Sequence, residues 1–113
     1  MTTQEFWDGF YHGEIAVEVN TVAEKRDVCR TALKTLDVSV CDWIWDNILP
    51  ENASVLGGPY ISVDDDNEVV GFYRSTAFKD NVLSYNGFVS IVRGECEAVD
   101  ILEVDDGSFD ELF

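Results

Sequence analysis

Positive charge is scarce in this chain: seven Lys and Arg face 23 Asp and Glu, with one histidine, for a formal net charge of −16. A field of that sign repels DNA, RNA and anionic membranes and attracts basic surfaces, so direct nucleic-acid binding is not expected. The cysteines Cys29, Cys41 and Cys96 are odd in number and unrelated in spacing. They read as buried thiols in a reducing, cytoplasmic compartment rather than as a disulfide framework. Zinc needs about four Cys or His ligands, usually in close pairs, which His12 and three scattered cysteines do not supply. No apolar run approaches the roughly 20 residues of a membrane span. The opening stretch lacks the basic and apolar regions of a signal peptide.

Catalytic signatures are missing as well. Gly-x-Ser-x-Gly does not occur, and Leu56-Gly57-Gly58-Pro59 has neither the lysine nor the following helix of a phosphate-binding loop. An EF-hand loop started at Asp64 puts Val69 where the turn glycine belongs and Ser75 where the bidentate Glu belongs. The run Asp64–Glu68 therefore reads as a solvated turn. Cys29 or Cys41 with His12 could in principle form a nucleophile–base pair. Cys29, however, falls on the apolar face of a helix, where core packing is the expectation. No catalytic residue, metal ligand or cofactor is assigned, and the chain is expected not to be an enzyme.

What is present suffices for a core. The 113 residues are 46% hydrophobic, with seven Phe, four Tyr and three Trp, and fit one domain. Thr2 and Glu5 have capping-box spacing, predicting a short helix over 3–10. Ile15, Val17 and Val19 alternate as in a half-buried strand. Thr21 and Glu24 form a second capping box before the principal helix, where Val22, Val28/Cys29, Ala32/Leu33 and Leu36 recur at helical spacing. Lys25/Arg26, Arg30 and Lys34 run along another face of that helix.

The segment 38–45 reads as β, which would point Trp43 and Trp45 the same way. Trp7, Trp43, Trp45 and Tyr60 are expected in the core; otherwise Trp43 and Trp45 form an exposed aromatic pair suited to an interface. Residues 60–63 and 68–73 alternate as a hairpin around Asp64-Asp65-Asp66-Asn67. Residues 82–85 and 88–92 flank Asn86-Gly87, a strong hairpin signal, and 99–104 adds a last strand. The expected class is α+β: one principal helix packed on a largely antiparallel sheet, with a short N-terminal helix. The domain spans 1–104, and 105–113 is an acidic C-terminal tail.

The acids are uneven along the chain. Residues 95–113 hold eight acids and no base, and residues 1–94 carry a net −8. Duplex DNA carries roughly one charge per 100 Å². A chain of this mass exposes about 6,000 Å² and averages about one net charge per 400 Å². Mimicry of DNA would thus require the charge to be focused. The expected partner surface comprises Asp64, Asp65, Asp66 and Glu68 with Asp105, Asp106, Asp110 and Glu111, plus Trp43, Trp45 and Phe113.

Phe109, Leu112 and Phe113 among acids resemble the acidic tail tip of bacterial single-stranded-DNA-binding proteins and clamp-binding peptides ending Leu-Phe. The tail lacks the proline of the first and the leading Gln of the second. Over roughly 10–92, the arrangement Phe10-x-x-Gly13-x-Ile15-Ala16-Val17, Thr21-x-x-Glu24, Leu33, Trp43/Trp45, Pro59-Tyr60-Ile61 and Gly87-Phe88 resembles small acidic accessory proteins of bacteriophages. Lys25 after Glu24 and the acidic C-terminus depart from that pattern. The resemblance implies no reaction. It implies an anti-defence inhibitor, anti-CRISPR-like and of DNA-mimic type, acting in the host cytoplasm on a basic nucleic-acid-handling protein. Two alternatives share the composition: an immunity protein neutralising a basic toxin nuclease, and a module sequestering a small ligand such as a nucleotide. The last needs a pocket with converging basic groups, for which Arg74, Arg93 and the helix bases are the candidates. Solubility adaptation to high salt is a further reading of the acidity.

Overall fold

Two cap motifs set the helix starts. In the computed structural model, which describes residues 1–78 and 81–93, Thr2 Oγ1 accepts from Glu5 N at 3.0 Å while Thr2 N donates to Glu5 Oε1 at 2.8 Å. This reciprocal cap begins helix α1, Thr3–Tyr11. Thr21 Oγ1 likewise accepts from Glu24 N at 3.0 Å and begins α2, Val22–Thr35, although the Glu24 carboxylate reaches Asn20 N instead of closing on Thr21. Between them runs strand β1, Ala16–Glu18. Strand β2, Ser39–Val40, follows α2 and leads into a short helix α3, Asp42–Asn47. Then come β3, Tyr60–Val63, and β4, Glu68–Phe72, a 3-10 turn over Ser75–Phe78, β5, Val82–Ser84, and helix α4, Tyr85–Val92.

The five strands form one sheet in the order β2-β4-β3-β1-β5. The fold is α+β with a short N-terminal helix, as the pattern predicts, but the sheet is mixed. Its central pairings, β4 with β3 and β3 with β1, are antiparallel; the outer pairings, β2 with β4 and β1 with β5, are parallel. Register places Leu83, Val17, Ile61 and Gly71 in one cross-strand row and Val63, Val69 and Val40 in the next. Both rows lie on the same face, because partners directly opposite share a face and i, i+2 neighbours do too. Of the branched residues in these rows, all but half-buried Leu83 are buried, and they meet Phe6, Phe10, Val28, Cys29, Ala32 and Phe88 from the helices. Trp7 joins that core, as expected.

The hairpin at 64–67 forms as predicted. Asp64 Oδ1 accepts from both Asp66 N and Glu68 N, at 2.9 and 3.0 Å, and Asn67 takes φ +60°. Two other expectations are overturned. Segment 38–45 is strand only at Ser39–Val40, because Cys41 turns into α3: its carbonyl accepts from Ile44 N and Trp45 N. Asn86-Gly87 is not a hairpin turn but the first turn of α4, where Ser84 Oγ accepts from Gly87 N at 3.0 Å. A cap that satisfies an orphan N–H, together with the burial of Phe88 against Phe6 and Trp7, outweighs the local turn preference. The last predicted strand, 99–104, the domain limit at 104 and the tail 105–113 lie outside the described residues.

Candidate functional site

The basic stripe expected on α2 does not face solvent as a stripe. Lys25 is 1% exposed, and its Nζ donates to Leu56 O at 2.8 Å and Gly58 O at 2.9 Å. Arg26 donates to Ile48 O and Pro50 O, and Arg30 to Leu49 O. Three cations of one helix thus hold the 48–58 segment by its carbonyls. The reason is local. That segment has no strand or helix to satisfy its carbonyls, and a buried acceptor without a donor costs about 1–3 kcal/mol.

Lys25 sits in a space that two glycines open. A Cβ on Gly71 would lie 2.6 Å from Lys25 Nζ and 2.5 Å from Gly58 O, so no side chain fits on the sheet face there. Gly57 has φ +70°, and a Cβ on it would meet the Trp43 ring at 2.5 Å. The Trp43 ring centroid lies 5.2 Å from Nζ, within cation–π range. Burial lowers the Lys25 pKa below its usual value, and the neighbouring thiols Cys29 and Cys41 act against that shift. Cys29 is fully buried and its thiol is pushed up to about 12, chiefly by burial, which fits core packing and not nucleophilic duty. Beside Lys25 lies a cavity of about 200 Å³, lined by Lys25, Cys41, Trp43, Gly71 and Tyr73 among others.

Trp43 and Trp45 are 41% and 54% exposed, against the expectation that they belong to the core. They do not share a face as on a strand, because α3 rotates residues two apart by about 200°. Trp43 leans over the Lys25 pocket, and Asp42 and Asp46, both exposed, flank the pair. Tyr60 is half-buried on the opposite sheet face from the core rows.

The expected acidic surface divides. Asp65 and Asp66 are exposed at the hairpin tip, whereas Asp64 spends one carboxylate oxygen on two backbone donors, and Glu68 is half-buried at the start of β4. Asp105, Asp106, Asp110, Glu111 and Phe113 lie outside the described residues. His12 caps α1, its Nδ1 within 2.7 Å of Asp8 O. Among the described residues no group of three His, Cys, Asp or Glu is placed to hold a metal ion. No helix among them is long and apolar enough to cross a membrane.

The remaining described cluster is structural. Arg93 grips Asp27 with two bonds, 2.9 and 2.6 Å, and Tyr85 Oη donates to Asp27 Oδ2 at 2.6 Å. Burial opposes ionisation of Asp27, but the bonds from Arg93 and Tyr85 outweigh it and hold its carboxyl below the usual value. This cluster ties α4 to α2 and commits Arg93 to an internal partner, as Lys25, Arg26 and Arg30 are committed. Sequence reading missed the Lys25 site. The local signal available was the pair Gly57-Gly58, while the acceptors stand 31 and 33 residues from the lysine. Compared with known proteins, the chain matches no family model, no curated protein and no solved structure.

Proposed function

We propose that this chain is a non-catalytic binding protein whose acidic exterior docks on a basic surface of another protein, in the manner of a phage-type inhibitor that occludes a nucleic-acid site. The observation that carries this reading is the use of cations within the chain. Lys25, Arg26, Arg30 and Arg93 all donate to oxygens of the chain itself, Lys25 from a buried position and Arg30 and Arg93 from exposed ones. Among the described residues only Asp27 and Glu51 join ion pairs. Among the described residues the exposed carboxylates other than Glu51 therefore have no ion-pair partner, which leaves an acidic field on the described surface. Such a field speeds association with a cationic patch and makes it salt-sensitive. The contact surface proposed is Asp65 and Asp66 at the hairpin tip, with Asp42, Trp43, Trp45 and Asp46 on α3. An immunity protein against a basic toxin would rely on the same physics and would differ only in its partner.

The test is affinity capture of basic nucleic-acid enzymes from bacterial lysate at low and raised salt, followed by titration of the recovered partner. Asp65→Lys with Asp66→Lys should weaken that partner at least about tenfold, or about 1.4 kcal/mol. The doubly reversed variant keeps Asp64 and therefore the turn. Unchanged affinity would remove the hairpin tip from the interface, and recovery of no basic partner at either salt would end the proposal.

A further inference from the structure

The parallel ladder between β2 and β4 stops one residue early, and it leaves a backbone donor behind. Ser39 N donates to Asn67 O and Cys41 N to Val69 O, so alternate residues of β4 turn their polar groups toward β2. The next rung would take Gly71 N to Cys41 O. That carbonyl accepts instead from Ile44 N and Trp45 N, at 3.0 and 3.1 Å, where α3 begins. Gly71 cannot turn to β3 either. Asp64 N bonds Glu68 O, so by strict alternation Ser62/Val70 and Tyr60/Phe72 are the bonded pairs, and Ile61/Gly71 is a non-bonded one. Among the described residues the Gly71 N–H has no acceptor.

A second donor lies beside it. Lysine carries three N–H groups, and Lys25 uses two on the carbonyls of Leu56 and Gly58. The third is left to the Trp43 ring and the cavity. No carboxylate among the described residues forms an ion pair with Lys25, although buried charges are ordinarily paired. Lys25 and Gly71 line the same cavity of about 200 Å³, with Cys41, Ile44 and Val70 as its apolar wall and Trp43 and Tyr73 also lining it. Tyr73 is 75% exposed, which is unusual for so large a side chain and leaves its ring available to a ligand.

We propose that this cavity is a binding site for a carboxylate carried on a flat apolar body, the anion meeting Lys25 Nζ and the Gly71 N–H and the body packing beside Trp43 and Tyr73. Lys25 and Gly71 line one cavity, with Nζ 2.6 Å from where a Gly71 Cβ would stand, so one carboxylate can accept from both, and the ring-lined wall suits an aromatic acid. The carboxylate can belong to a free small acid or to the C-terminus of a peptide; the chemistry recognised is the same. The net negative field of the chain opposes any anion at long range, but within a Debye length of about 8 Å at physiological salt the two donors dominate. This site shares Trp43 with the proposed docking surface but does not rest on that reading, because its test follows Lys25 and Gly71 with no protein partner present.

The experiment is a titration of the ¹⁵N-labelled full chain at about 150 mM salt with sodium benzoate, with benzamide as the uncharged control. A second arm uses an acetylated dipeptide ending in phenylalanine with a free carboxylate. The expected result is a saturable shift of the Gly71 amide and the Trp43 indole by benzoate below about 10 mM, with none from benzamide. Tighter binding of the peptide assigns the source as a chain terminus; equal or weaker binding assigns it as a free acid. Lys25→Met should abolish the shift. Because that variant can also disturb the 56–58 segment, Tyr73→Ala, at an exposed position, should weaken binding severalfold with the spectrum otherwise unchanged. No Gly71 shift with either acid, or equal shifts with benzamide, would overturn the proposal.

Discussion

Asp27 shows how much of this fold rests on a few polar side chains meeting across long sequence separations. Its carboxylate joins Arg93, 66 residues away, and Tyr85, 58 residues away. Its pKa lies below the ordinary 3.8, so ionised Asp27 contributes stability that is present above that value and lost as pH falls through the lower folded value. Arg93→Gln should therefore cost about 1–2 kcal/mol at neutral pH, discounted for the partial exposure of the pair. It should also flatten the acid limb of a urea-unfolding series below pH 4. A variant with the acid limb intact would mean that the pair contributes no linkage. Lys25 has the opposite sign. Its folded pKa is lowered below 10.5, so the unfolded chain binds the extra proton between the two values, and this residue's contribution to stability rises with pH across that window.

At the scale of elements, α4 is where local signal and tertiary context part. Asn86-Gly87 favours a turn between strands, yet Ser84 caps a helix there and Phe88 is fully buried against α1. The two descriptions make opposite forecasts for one substitution. In the first turn of a helix, with no positive φ at Gly87 and its nearest foreign atom 3.4 Å from a new Cβ, Gly87→Ala should stabilise by about 0.5–1 kcal/mol. In a tight hairpin it would destabilise. Ser84→Ala should cost about 1 kcal/mol through loss of the cap. Chemical denaturation of both variants reads the sign directly. The same logic explains α3: the segment is rich in β-favouring Trp and Ile, but the Cys41 carbonyl is taken by helix donors, and the strand ends.

For the molecule as a whole, charge and connectivity act in different ways. A net charge of −16 on 113 residues is self-repulsive, so the melting temperature should rise as monovalent salt is added, while affinity for the proposed basic partner should fall. A melting temperature that does not move with salt would indicate that the carboxylates are already neutralised. The sequence alone settled what depends on near neighbours: the two capped helices, the apolar stripe of α2, the 64–67 hairpin, the α+β class and the sign of the field. Each rests on spacings of two to four residues, or on composition, both of which can be read without coordinates. Only the tertiary structure decided that Lys25 is buried, that β2 stops at Val40, and that Asn86-Gly87 opens a helix. In each case the deciding contact is an acceptor, a donor or a core surface supplied from elsewhere in the fold, or a competition for one carbonyl, and local periodicity carries no record of either.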